Sequence, residues 1–362
     1  MKDSEIKSLS TPIEIRKNTQ LKSKPAVKNL GFGKYFTDHM FLAHYSMKMG
    51  WHRSEIVPYA PLAIEPGASS LHYGQALFEG MKAFRQTSGE CILFRPEFNW
   101  QRLCDGADRL CMKAPPKELM LDGIRELVKI DRDWIPNERG ASLYIRPTLI
   151  GTESFLGVRP AEEFLFFVIC SPVGSYYAEG TAPIKIWVEE NYLRAAPGGL
   201  GATKAGANYA ASLKAALEAK KSDYAQVLWL DVTHQYIEEV GTMNVFFVLG
   251  DEVVTPMLDG SILPGGVRDC AISLLKKMNL KLSERKLSLA EVEAAHKAGR
   301  LKEVFGTGTA AVISPVGELA SSQFHMKIND GIKGPIATFL FDEITAIQYG
   351  DKPDTFGWTQ KL

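Results

Sequence analysis

The chain has 362 residues, 45% of them hydrophobic and 23% charged, enough to bury two cores and typical of a water-soluble globular protein. Lys plus Arg and Asp plus Glu both number 42, and a zero balance provides no global field to hold nucleic acid or an anionic membrane. The longest apolar runs, such as FLFFVIC over 164–170, fall short of a membrane span, and MKDSEIKSLS has the pattern of neither a signal nor a transit peptide, so a cytoplasmic address is expected.

Taken in chain order, the first part is rich in strands. GECILFRP (89–96), ASLYIRPTLIG (141–151) and EFLFFVICSPVG (163–174) are β-prone runs bounded by turn residues. Between them, Trp100, Leu103, Cys104, Ala107, Leu110 and Cys111 follow helical spacing and predict an amphipathic helix that stops before Pro115 and Pro116. This pattern puts Cys104 and Cys111 on one face as small buried hydrophobes. A second helix is predicted over 117–129. SYYAEGTAP (175–183) has the composition of a linker, which divides the chain into a small domain (1–174) and a larger one (184–362).

Past the linker come a strand (184–188), a glycine-rich loop, a helix on which Tyr209, Leu213, Ala216 and Leu217 repeat, and then AQVLWLD, QYIEEVG and MNVFFVLGDEVVTP as antiparallel strands. The interleaving of strands and helices predicts α+β rather than a doubly wound sheet. Five cysteines without a CxxC pair argue against disulfides, and seven scattered histidines offer no metal-ligand spacing, so no metal is expected and His39 and His72 read as structural.

The chemistry concentrates at Lys204, alone among small residues in GGLGATKAGANYAAS (198–212). A desolvated lysine has a lowered pKa and becomes the neutral amine that attacks an aldehyde; the alternative is one solvated lysine on a surface loop. Gly265 and Gly266 in LPGGVRD open a helix whose free N–H groups suit an anion, and FGTGTAA (305–311) adds glycines and hydroxyls. FGTGTAA also fits a dinucleotide fingerprint, but such a turn must open a helix, whereas AAVISP reads as a strand stopped by Pro315. In EEVGTMNVFF, alternation sends Glu238 and Glu239 to opposite faces, so one carboxylate lies in or near the interior and needs a partner. A reactive lysine, a phosphate cradle and an inward carboxylate together fit pyridoxal 5'-phosphate, the lysine holding the aldehyde and the acid keeping the ring nitrogen protonated.

LHYGQALFEGMKAF, LFRPEFNWQRL, SLYIRPTLIGTE, GGLGATKAGANYAASL, QVLWLD, EEVGTMNVFFV, GSILPGG and FGTGTAA, in this order, resemble the branched-chain amino acid aminotransferases of the fold-type IV pyridoxal phosphate enzymes. The likeness runs from FGKYFTDHM (32–40) almost to the C-terminus. It implies a small N-terminal α/β domain, a larger pseudo-barrel domain and a homodimer in which part of one small domain covers the other subunit's site. It also implies that Lys204 is the Schiff-base lysine and proton carrier, that Glu239 partners the pyridine nitrogen and Tyr209 the phenolic oxygen, and that Arg102, Gly266, Val267, Thr307 and Thr309 bind the phosphate.

For the substrate, the resemblance implies that Thr309 and Ala310 take the α-carboxylate and that Tyr144 lies near it. Arg146 is available to the second carboxylate of glutamate, and Phe32, Tyr73, Phe78 and Thr242 line the side-chain pocket. The expected reaction exchanges the amino group of leucine, isoleucine or valine with 2-oxoglutarate. D-amino acid aminotransferase and aminodeoxychorismate lyase are the alternatives within the fold. Ala311 and Ser314 stand where eukaryotic relatives carry a thiol pair, so no redox switch based on that pair is expected.

Overall fold

The computed structural model describes residues 12–174 and 182–362; most of the 175–183 linker predicted from composition therefore lies outside the described residues. Two nine-stranded sheets organise the chain. The first contains β1 (Glu14–Ile15), β2 (His39–Ser46), β3 (Gly50–Pro58), β4 (Ala76–Phe78), β5 (Met81–Arg85), β6 (Cys91–Phe94), β7 (Ser142–Gly151) and β8 (Glu163–Val173), with β18 (Thr359–Lys361) at its edge. Its order is β1-β3-β2-β8-β7-β5-β6-β18, with β4 also on β7. Helices α2 (Pro96–Arg109) and α3 (Lys117–Ile130) cover one face of it; α1 (Ser69–His72) is a single turn.

Met120, Leu121, Ile124, Leu127 and Val128 of α3 pack with Phe41, Ile56 and Phe166 of the sheet. Fully burying each such side chain contributes about 1.5–3 kcal/mol. Gly123 permits the close approach, because a Cβ there would lie 2.7 Å from the Phe41 ring. The first helix starts four residues earlier than Trp100, since Arg95 adopts a left-handed φ of 53° and Pro96 occupies the first turn, where its missing N–H costs nothing. It also ends at Arg109, so Cys111 lies beyond it at φ 53° and is exposed, and Cys104 within the helix is only half-buried, so neither is the buried hydrophobe expected.

The second sheet comprises β9 (Ile184–Val188), β10 (Gln226–Leu230), β11 (Ile237–Val240), β12 (Met243–Leu249), β13 (Glu252–Thr255), β14 (Lys281–Glu284), β15 (Leu301–Gly308), β16 (Val312–Ala320) and β17 (His325–Lys327). Pairing of β11 with β12 closes the path β11-β10-β9-β16-β15-β12 into a six-stranded barrel. Against its strands pack α4 (Gly206–Lys221), α5 (Gly266–Lys277), α6 (Leu289–Lys297) and α7 (Pro335–Tyr349). The mixed helices and strands make the fold α+β, as the sequence pattern indicates.

Closure explains two departures from the simple strand reading. Both faces of β12 are covered: Phe247 packs with Ile186, Val245 and Val254, while its neighbour Phe246 stacks on Phe305 at 5.2 Å beneath α5 and α7. Glu238 and Glu239 are consequently both buried, rather than only one of them. Pro315 does not stop its strand either. It pairs with Phe305 on one side, and on the other the pairing with β9 begins only at Val316, so the proline sits at the end of that ladder.

Candidate active site

Lys204 lies in the loop before α4, and that loop is pinned from several directions. Asn208, in the first turn of α4, donates to the carbonyls of Leu200 (2.7 Å) and Thr203 (2.8 Å), and Arg109 holds Gly198. The small residues are a packing requirement, since a Cβ at Gly201 would strike the Ser261 carbonyl. An Ala205–Leu77 bridge and the Phe78 N–H donating to the Lys204 carbonyl (3.2 Å) lock the loop to the first sheet.

The lysine points into a cavity of about 420 Å³ lined by Phe32, Phe78, Tyr144, Arg146, Tyr209, Thr242, Met243, Thr309, Ala310 and Ala311. Its Nζ donates to the Tyr209 hydroxyl at 2.8 Å and lies 4.9 Å from the Phe78 ring centroid. Burial, with the nearby Arg102 cation, lowers the ammonium to about 8. Burial raises the Tyr209 phenol, and Glu239 adds to the shift. Arg146 donates to the Tyr144 hydroxyl at 2.9 Å and lies 4.5 Å from the Phe78 centroid, on the same face of β7 as alternation requires. Its buried Nε has no partner.

At the inner end, a narrower recess is lined by Arg102, Glu239, Asn244, Gly265, Gly266, Val267, Thr307 and Thr309. The recess suits a phosphate on three grounds: the first turn of α5 opens on it, the buried Thr307 hydroxyl lacks a partner, and Arg102 stands beside it. A side chain on Gly265 would collide with Asn244 Oδ1. Glu239 accepts the Leu263 N–H at 2.8 Å and meets Arg194 at 3.3 Å. Burial raises the Glu239 carboxyl, and Arg194 and the Leu263 N–H offset this only in part. A recess with an anion cradle, a lysine and a buried acid at a second edge fits the three functional edges of pyridoxal phosphate.

Three residues of the site carry no prediction from sequence. Glu79 is fully buried, and both its oxygens accept from Arg102, at 2.8 Å each; Asn99 adds a bond at 2.7 Å. Burial pushes this carboxyl up, but Arg102, Lys204 and Asn99 outweigh it and hold it below the ordinary value. Arg194 backs Glu239. Lys82, buried in β5, donates to the Ala310 carbonyl at 2.9 Å, and burial lowers it to about 8. Glu79 had a readable signal, a carboxylate inside the apolar run of QALFEGMKAF; Arg194 in NYLRAAPGG had none.

Every residue expected at the site lies on this cavity or its recess except Tyr73. Tyr73 sits at the end of α1, is 40% exposed and hydrogen-bonds the Leu156 carbonyl, so it does not reach this chain's own cavity. His39 and His72 are remote from it: the His39 ring is held between Asp131 (2.7 Å) and the Asn18 N–H (2.8 Å), and His72 meets the Pro66 carbonyl. Among the described residues no three His, Cys, Asp or Glu side chains gather as a metal site, and no helix is long and apolar enough to cross a membrane.

Comparison with known proteins shows the family to which the chain belongs. The model of the amino-transferase class IV family matches residues 76–319, which is more than half of the chain. The chain belongs to the class IV aminotransferases. Branched-chain-amino-acid aminotransferase 2 of Bacillus subtilis (strain 168) is 50% identical over 351 residues, covering 97% of each protein. The crystal structure of the Escherichia coli branched-chain amino acid aminotransferase superposes with a TM-score of 0.74 at 27% identity, over 89% of this chain and 98% of that one. The branched-chain amino acid aminotransferase from Thermobaculum terrenum, in its PLP-bound holo-form, shares the fold, with a TM-score of 0.71 at 22% identity over 90% of this chain and 98% of that one.

Proposed function

We propose that this class IV aminotransferase acts on branched-chain amino acids, transferring the amino group of L-leucine, L-isoleucine or L-valine to 2-oxoglutarate to give the branched 2-oxo acid and L-glutamate. The observation that carries this reading is one cavity with two kinds of wall around Lys204. Phe32, Phe78 and Met243 offer apolar surface to an aliphatic side chain, and Arg146, with its unused Nε, offers a cation to a second carboxylate.

In this reading pyridoxal 5'-phosphate is the cofactor, and when bound it supplies an electron sink for the pair left when the substrate α-carbon loses its proton. Arg102, Thr307, Thr309 and the N–H groups of Gly266 and Val267 hold the phosphate. Glu79 keeps the Arg102 guanidinium oriented through two parallel bonds, the Pro264 carbonyl takes a third donor, and the remaining N–H groups are available to an anion. Glu239 holds the proton on the ring nitrogen, with Arg194 favouring its ionised form. Tyr209, already bonded to Lys204, donates to the phenolic oxygen. Lys204, as a neutral amine, would take the proton from the substrate α-carbon and hold it at Nζ. Thr309 and Ala310 orient the α-carboxylate, Tyr144 stands beside it, and Thr242 completes the wall facing the side chain.

The reading extends to a cytoplasmic homodimer divided into domains 1–174 and 184–362, with 175–183 between them and the last strand, β18, crossing back to the first sheet. In such a dimer, Tyr73 and the nearby exposed Leu71 and Leu156 belong against the partner's cavity. Light scattering checks the dimer. The function is tested by following the visible absorbance of the purified, cofactor-loaded protein on adding L-leucine, L-glutamate or D-alanine alone. Bleaching by the first two supports the reading; bleaching by D-alanine only, or by none, refutes it.

A further inference from the structure

Lys82 is more than nine-tenths buried, yet no carboxylate pairs with it among the described residues. Its Nζ makes one hydrogen bond, to the Ala310 carbonyl at 2.9 Å. Beyond it lies a second cavity, of about 390 Å³, where Ser314 and Gln348 present buried oxygens without partners and Phe84 and Phe341 supply apolar surface. Burying an ammonium without a counter-ion is costly, and a methionine would fill the same space without that cost. The placement of a cation at this carbonyl therefore calls for a reason.

Ala310 is the middle residue of the 309–311 turn that joins β15 to β16, between the Gly308–Val312 pair. The turn is conformationally expensive: Val312, a β-branched residue, is held at φ 62°. Among the described residues neither the Ala310 nor the Ala311 N–H donates to a backbone acceptor. The Ala310–Ala311 peptide is trans, so its N–H points opposite to the carbonyl that Lys82 holds. Ala310 and Ala311 line both cavities, whereas Lys82 lines the second and a small recess beside Arg102 and Thr309 but not the cavity around Lys204. The carbonyl faces the lysine, which puts the Ala311 N–H on the opposite side of the peptide. A cation on the carbonyl also polarises the amide, which strengthens the N–H as a donor to an anion.

We propose that Lys82 is a positioning residue for the substrate carboxylate, fixing the Ala310–Ala311 peptide and, through the shared Ala310 Cα, the N–H groups of the turn toward that anion. The inference rests on the aminotransferase reading above. It deepens that reading by assigning carboxylate recognition to a side chain that touches neither substrate nor cofactor. Every amino and 2-oxo acid substrate carries the α-carboxylate, so loss of Lys82 raises KM for leucine and glutamate alike. This differs from the effect of Arg146, which distinguishes them.

The test uses the cofactor-loaded enzyme and 4-methylpentanoate, which is leucine without its amino group and binds without reacting. Lys82→Met is expected to weaken 4-methylpentanoate roughly 10- to 100-fold, the range for losing a hydrogen bond to a charged group, and to raise both KM values similarly. Cofactor content and kcat should change by less than about threefold, because the proton-transferring groups are untouched. Lys82→Arg, which keeps the cation and its donors, should recover most of the affinity. If Lys82→Met does not accumulate as folded protein, Lys82→Gln repeats the comparison with a donor that lacks the charge. Unchanged 4-methylpentanoate binding in the variant, a fall in kcat with KM intact, or no recovery by arginine each overturns the assignment. Wild-type enzyme that holds cofactor but binds neither 4-methylpentanoate nor leucine overturns the substrate reading, and this inference with it.

Discussion

Replacing Arg146 by alanine separates the two classes of substrate that one cavity must serve. The guanidinium uses one donor on Tyr144, lies against Phe78 and keeps a buried Nε without a partner. Its truncation removes two things. Lost packing on Phe78 affects leucine and glutamate equally, at about 0.5–1 kcal/mol for a cation over an aromatic ring. Lost contact with a distal carboxylate affects glutamate alone, at about 1.5–3 kcal/mol for a charge-assisted hydrogen bond. The shared part cancels in a ratio, so kcat/KM for the glutamate half-reaction should fall roughly 10- to 150-fold further than that for leucine. The assay is single-turnover loss of cofactor absorbance with each amino acid. Equal losses would mean that Arg146 serves Tyr144 or the common carboxylate site, and no loss for either would remove it from the active site.

Lys204→Ala should keep the fold while abolishing the lysine-bound cofactor absorbance and nearly all transamination; retained absorbance with normal turnover would refute its assignment. Glu239→Gln should leave cofactor bound and slow the half-reaction by about 100-fold or more, because an amide cannot hold the ring nitrogen protonated, and stopped-flow rates within a few-fold of wild type would exclude that role. Glu79→Gln takes the counter-charge and one of two acceptor oxygens from the buried Arg102, so the pyridoxal phosphate Kd, measured by fluorescence titration, should rise about tenfold or more. Reconstitution of cofactor-free protein should accelerate with pH. With Lys204 at about 8, roughly a tenth of the amine is neutral at pH 7 and half at pH 8, so the initial rate rises about fivefold across that unit and levels off above it. A rate that falls over that interval contradicts the depressed lysine.

Much of this organisation was legible in the sequence because it rests on local pattern. Alternation placed Tyr144 and Arg146 on one face, and helical spacing after Lys204 put the lysine at the mouth of α4. What local pattern could not supply was closure. Once β11 pairs with β12, every residue of these two strands is buried, so the single inward carboxylate expected in EEVGTMNVFF became two buried ones. Pro315 misled for a related reason: whether a missing N–H ends a strand depends on the neighbour beside it, which only the register reveals. Arg194 and Lys82 act on groups 45 and 228 residues away in the chain, and no periodicity reports such pairs. Tyr73 was assigned from resemblance alone, and one chain by itself does not bring it to its own cavity.

The edge strand β18 has a consequence for biosynthesis. Residues 359–361 complete the first sheet by pairing with β6, the Leu362 N–H reaches the Cys91 carbonyl, and Gln360 and Lys361 are tied to Arg125 and Glu90. On the ribosome, β6 therefore emerges more than 260 residues before the segment that caps it. For that interval the nascent chain carries an open β-edge next to the apolar Ile92, Leu93 and Phe94, a template for pairing with neighbouring chains. Early folding of the first sheet is thus a hazard until residues 359–361 have been made, and a chain truncated before Thr359 would carry that open edge permanently.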